Sequence, residues 1–191
     1  EMGTNQWGEI RALTEIARPT LGVVTNIGPA HLETFGDLGG ILREKGALWE
    51  VMEPEASLVL NGDDPLLQQA GRTLRRKVLW FSARDGSAKG FGGGCGPEAD
   101  IRATEVYLEP FGSTCRINGR WTLRLPVPGQ HNVMNALAAL ACARIFGLDL
   151  EKAVARLESV TSLPGRLNGS ERDGVLILDD SYNANPSSLW A

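Results

Sequence analysis

Cysteine is scarce in this sequence. Only Cys95, Cys115 and Cys142 occur among 191 residues, an odd number with no CxxC pair. That usage argues against a disulfide framework or a cysteine-based zinc site and fits a reducing, cytoplasmic setting. No apolar run reaches the ~18 residues that a membrane-spanning helix needs, and no stretch reads as a signal peptide. Charge of one sign is also lacking, since 19 Lys and Arg against 23 Asp and Glu leave −4 at pH 7. So mild a balance points to neither nucleic acid nor a membrane surface as partner.

Glycine, by contrast, is plentiful: 23 residues against roughly 13 from average usage, as tight turns between strands and helices require. Hydrophobic content of 42% and charged content of 22% are those of a globular protein with a substantial core. Ile10, Leu13, Ile16 and Ala17 have helical spacing over 9–17, and Arg18-Pro19 stops that helix. Short buried strands are expected at 21–25, 57–60 and 78–81, with helices at 37–52 and from Pro65 to about Leu74, and a turn-rich 26–33. This alternation predicts a parallel sheet flanked by helices, with right-handed crossovers. Past Ser82 the character changes. Residues 100–108 and 113–127 read as antiparallel strands, turning at Asn118-Gly119. Helices are expected at 132–146 and 150–160, then a hairpin-like pair around 170–172 and 175–178. The fold class expected is therefore α/β, with a small antiparallel sheet at 100–127.

Several stretches invite a chemical reading. Gly90, Gly92, Gly93, Gly94 and Gly96 suggest a phosphate loop, but no Gly-Lys-Ser/Thr follows, so a flexible surface loop is expected. His31 falls just past a strand end, where it can ligate a metal, contact phosphate, or simply face solvent. Lys45 falls within the apolar stripe of Leu38, Ile41, Leu42, Leu48, Trp49 and Met52. A lysine there snorkels, pairs with a carboxylate, or is chemically altered. Asn132 and Asn135, three apart, put two amides on one side of a helix start, a donor–acceptor pattern suited to adenine; Asn132 can instead be a cap. Arg166, in the turn of Leu163-Pro164-Gly165, can grip phosphate or ribose oxygens.

The most informative stretch is Val175 to Ser188. Four apolar residues read as a strand buried on both faces. Asp179 and Asp180 then fall at its carboxyl end, where α/β sheets bind ligands, and Asn185-Pro186 reads as a helix start.

Taken together, five blocks resemble the central domain of the Mur ligases, the ATP-dependent amide-forming enzymes of peptidoglycan synthesis. They are Glu1-Met2-Gly3-Thr4-Asn5 with Gly8-Glu9-Ile10, Thr25 to Glu33, Glu44-Lys45-Gly46, His131 to Leu137, and Gly165-Arg166-Leu167 with Asp179 to Ser188. The Asp-Asp-Ser-Tyr-Asn-Ala-Asn-Pro block is similar to that of the member that adds D-alanyl-D-alanine to UDP-N-acetylmuramoyl-tripeptide. The resemblance implies a P-loop NTPase-like fold and a cytoplasmic, monomeric enzyme using ATP and Mg²⁺. It also implies roles. Glu1, His31 and Lys45 would hold metal, with His31 and Lys45 at the catalytic centre and Lys45 carbamylated. Asn132 and Asn135 would meet adenine, and Arg166 and Asp180 the ribose and phosphates.

There are departures. The family's Gly-Lys-Thr-Thr phosphate loop and its N- and C-terminal domains are not in this sequence, and Ala47 stands where relatives often carry an acid. The chain opens on Glu1 and ends at Ala191 inside an apparent helix, so both ends read as cuts and the piece alone is expected to be inactive. Two alternatives stay open: another Mur-type ligase, such as a folylpolyglutamate synthase relative, or a non-catalytic nucleotide-binding module.

Overall fold

The computed structural model describes residues 1–84 and 99–182. The chain divides into two compact units, the first holding Glu1–Ser82 and the second the residues from Ile101 on.

The first unit runs α1 (Glu9–Ala17), β1 (Leu21–Val24), α2 (Leu32–Phe35), α3 (Leu38–Val51), β2 (Ser57–Asn61), α4 (Pro65–Gly71) and β3 (Val78–Ser82). β1, β2 and β3 pair in parallel, with Val23 opposite Val59 and Val59 opposite Leu79. Residues 58–60 of β2 are wholly buried, as a strand with neighbours on both edges and cover on both faces must be. Gly22 lets α3 lie close on β1. A Cβ there would come within 2.8 Å of the Met52 sulfur and 3.0 Å of a Leu48 methyl. Asp37 starts α3 by accepting from the Gly40 amide, and Asp64 starts α4 by accepting from the Leu66 and Leu67 amides. The expected helix and strand pattern is met throughout this unit. The turn-rich stretch also contains the single-turn α2, which is too short for periodicity to reveal.

The second unit runs β4 (Ile101–Glu109), β5 (Gly112–Ile117), β6 (Trp121–Leu125), α5 (Gln130–Ile145), α6 (Leu150–Leu157), β7 (Asn168–Arg172) and β8 (Val175–Asp179). β4, β5 and β6 form an antiparallel meander. Asn118 and Gly119 both have positive φ, 50° and 66°, which matches the right-handed twist of the flanking strands. Cys115, Ile117, Leu123 and Leu125 point into the core, where Val133, Leu137, Leu140 and Ala141 of α5 are also buried. The cap of α5 is Gly129, not Asn132.

β7 and β8 form the expected hairpin around Asp173-Gly174. The burial expected for the 175–178 run is not met. Every residue of β8 is exposed, and its apolar residues range from 43% at Leu176 and Ile177 to 60% at Val175. An apolar run records that a strand prefers cover without supplying it, and among the described residues β8 has one partner strand in a two-stranded sheet. The glycine-rich stretch 90–96 and the Asn185-Pro186 helix start lie outside the described residues.

Candidate active site

In the first unit the site is built around the loop that leaves β1. Three consecutive residues of that loop are each held by a side chain from a different element. The Asn61 amide, at the end of β2, donates to the Thr25 carbonyl at 2.8 Å. The Lys45 amine, from α3, donates to the Asn26 carbonyl at 2.9 Å. The Asp64 carboxylate accepts from the Ile27 amide at 2.7 Å while also capping α4. Backbone groups outside regular structure need such partners, and side chains on rigid elements hold the loop in one conformation.

Lys45 is half-buried, so it neither snorkels freely nor sits in the core. Burial pushes its pKa below the ordinary 10.5, and the neighbouring Asp64 opposes that shift. The result is an amine that sheds its proton more readily than a surface lysine. His31 is exposed at the head of α2 with φ 55°, and its side chain caps nothing. Glu1 is exposed. Glu9 collects the Asn5 and Gln6 amides at 2.6 and 3.0 Å, and these bonds hold its carboxyl below the usual range, with a smaller push from His31.

Among the described residues no three His, Cys, Asp or Glu side chains converge as a ready metal site. An ammonium repels Mg²⁺, which takes mainly oxygen ligands, so Lys45 suits such a site only after gaining a carboxylate. A half-buried amine with a lowered pKa is suited to gaining one. Ala47 is buried among apolar neighbours, and the acid buried on this helix is Glu44, one turn earlier.

In the second unit two pairs come together. The Asn135 side-chain amide approaches the Asn132 Oδ1 at 3.5 Å, and the Asn132 Nδ2 donates to the Pro128 backbone carbonyl at 2.7 Å. Both are on the first turns of α5, as their spacing requires. Arg166 and Asp180 meet through the backbone, since the Asp180 carboxylate accepts from the Leu167 amide at 3.3 Å. The Tyr182 amide donates to the Gly165 carbonyl at 2.9 Å, and the Arg166 guanidinium lies 4.2 Å over the Tyr182 ring. Gly165 needs its φ of 72°, and a Cβ there would sit 3.1 Å from the Tyr182 nitrogen.

Glu44, Asp64 and Tyr182 escape a reading of the sequence as site residues. Asp64-Pro65 is legible as a cap, but not its bond to Ile27 across 37 positions. Tyr182 lies in the Asp179–Ser188 block with nothing to tie it to Arg166.

The model of the Mur ligase middle domain matches residues 1–143. This chain belongs to the Mur ligase family. It is 33% identical over its whole length to the UDP-N-acetylmuramoyl-tripeptide–D-alanyl-D-alanine ligase of Escherichia coli K12, of which it covers 41%. A crystal structure of MurF from Acinetobacter baumannii matches 99% of the chain and 40% of its own, with a TM-score of 0.85 and 32% identity. MurF ligase from Thermotoga maritima in complex with ADP matches all of the chain and 42% of its own, with a TM-score of 0.83 and 27% identity. The chain thus spans about two fifths of the length of the curated relatives it matches. The α/β class with parallel and antiparallel strands is that of these Mur ligase structures.

Proposed function

We propose that this chain is the nucleotide-handling middle part of a ligase that joins D-alanyl-D-alanine to UDP-N-acetylmuramoyl-tripeptide in the cytoplasm, at the expense of ATP. One observation carries the reading. Similarity to ligases of that name runs over the whole chain, including the turn where Arg166, Asp180 and Tyr182 meet.

In the proposed reaction the tripeptide carboxylate attacks the γ-phosphorus of ATP. An O–P bond forms, the bond to the β-phosphate oxygen breaks, and ADP and an acyl phosphate result. The amine of D-alanyl-D-alanine then attacks the acyl carbon, loses a proton and displaces inorganic phosphate. Such chemistry needs alignment and charge neutralisation more than acid–base groups.

The residues have corresponding jobs. The Asn132 and Asn135 amides offer donors and acceptors to the adenine edge. Arg166, held against Tyr182, presents its guanidinium to phosphate or ribose oxygens, and the Asp180 oxygen not engaged with Leu167 can accept from a ribose hydroxyl. Lys45, as a neutral amine, adds to carbon dioxide; the N–C bond forms, a proton leaves, and a carbamate replaces the ammonium. Glu1, His31 and that carbamate are the groups that would hold Mg²⁺, which when bound neutralises phosphate charge. The carbamate nitrogen keeps one N–H, the donor that the Lys45 bond to the Asn26 carbonyl requires.

The test is ADP release by the full-length ligase. It should require both D-alanyl-D-alanine and the muramoyl tripeptide. Turnover with folate and glutamate, or none with any amine, would overturn the reading.

A further inference from the structure

We infer that Glu44 is a positioning residue that ties the arm carrying Glu1 to the helix turn carrying Lys45. Glu44 is 3% exposed, yet it takes no part in the reaction proposed above. Its Oε1 accepts from the Ile10 amide at 2.9 Å and the Thr4 hydroxyl at 3.2 Å, and its Oε2 from the Gly8 amide at 2.8 Å. A buried carboxylate is costly unless its oxygens are so engaged.

Part of this arrangement is a helix cap. Gly8 precedes α1 with φ 88° and has no side chain to offer, so Glu44 satisfies the first amides from a distant helix. A cap explains Gly8 and Ile10 but not Thr4. The Thr4 bond carries the clamp upstream of α1, to within three residues of Glu1. The rest of the arm is held too. Asn5 and Gln6 donate to Glu9, and the Thr14 hydroxyl approaches the Met2 sulfur at 3.8 Å.

Residues adjacent on a helix point roughly 100° apart. Glu44 therefore faces the arm while Lys45 faces the loop after β1, where it meets Asn26. One turn of α3 sets the position of both. The inference rests on the proposed function only in taking Glu1 and Lys45 as groups on the metal side.

The test uses the full-length ligase with Glu44→Gln, Thr4→Val and Thr4→Ser. In Glu44→Gln the new amide group faces the Gly8 N–H, donor against donor. In the metal-free variant, hydrogen exchange at Gly8 and Ile10 should quicken about tenfold, while exchange along α3 stays unchanged. Calorimetry with Mg²⁺ and a non-hydrolysable ATP analogue should show affinity about tenfold weaker. The Mg²⁺ concentration for half-maximal rate should rise similarly, with the KM for D-alanyl-D-alanine unchanged. Thr4→Val should move the same readouts less, and Thr4→Ser should restore them. Faster exchange with unchanged Mg²⁺–nucleotide affinity would reduce Glu44 to a helix cap and overturn the inference. If Glu44→Gln does not fold, the Thr4→Val and Thr4→Ser pair decides: equal affinity in both overturns it. A wild-type protein that binds Mg²⁺–nucleotide but ligates neither substrate overturns the proposed function alone.

Discussion

The Lys45 amine donates to the Asn26 carbonyl at 2.9 Å, so the one lysine on an apolar helix stripe is anchored to the loop that leaves β1. The anchoring leaves it half-buried, and that burial lowers its pKa.

Replacing Lys45 should therefore act on chemistry more than on folding. Lys45→Ala in the full-length ligase is expected to lower kcat by at least ~100-fold, about 2.7 kcal/mol of transition-state stabilisation. Small carboxylic acids added to the assay should restore part of the rate. Unchanged turnover in a steady-state assay would rule out the carbamate.

The same burial has a sign that denaturation can read. Lys45 has a folded pKa below its unfolded 10.5. Between the two values the unfolded chain binds the extra proton, so stability rises with pH across that window and the cost is fully present below it. Urea melts over the alkaline range below pH 10.5 should show this rise in the wild type and a smaller one in Lys45→Met.

Asp64 and Asp149 both cap helices, but only Asp64 also takes a loop amide, that of Ile27. Asp149→Ala should cost about 1 kcal/mol, as simple cap losses do. Asp64→Ala should cost more, roughly 2–3 kcal/mol, because it also leaves the Ile27 amide without its partner. It should also lower the Lys45 pKa further, since Asp64 opposes the shift. Chemical denaturation and a lysine titration by NMR give the two readouts.

The Arg166–Tyr182 contact is on the surface, with Tyr182 67% exposed. An exposed cation–π pair contributes about 0.5–1 kcal/mol, so Tyr182→Leu should weaken nucleotide binding only two- to fivefold. Tyr182→Phe keeps the ring and should bind as the wild type does. Calorimetry with ADP checks both.

Cys115 is buried and its thiol is pushed up to about 11 by that burial. The thiolate is the reactive form, so native protein near neutral pH should leave Cys115 unlabelled by a thiol reagent, and unfolded protein should label it fully. Mass spectrometry of the labelled peptide distinguishes the two.

Much of this was legible from residue order because the signals are local. The apolar run 58–60 specified β2, the spacing of Ile10 and its neighbours specified α1, and Asn118-Gly119 specified a hairpin. Asn132 and Asn135 were bound to face one way once their helix was recognised. Lys45 stood out because one charge interrupts an apolar stripe, a contrast visible without coordinates.

What needed the tertiary structure was every relationship between distant positions. Glu44 takes the Ile10 amide from 34 residues away, and Asp64 takes that of Ile27 from 37. No local pattern marks either bond, because an acid on a helix reads as a solvated face until the partner element is placed against it. The same holds for the exposure of β8. Its four apolar residues, 175–178, determined that it would be a strand; which faces would be covered depends on what packs there, and residue order alone does not contain that.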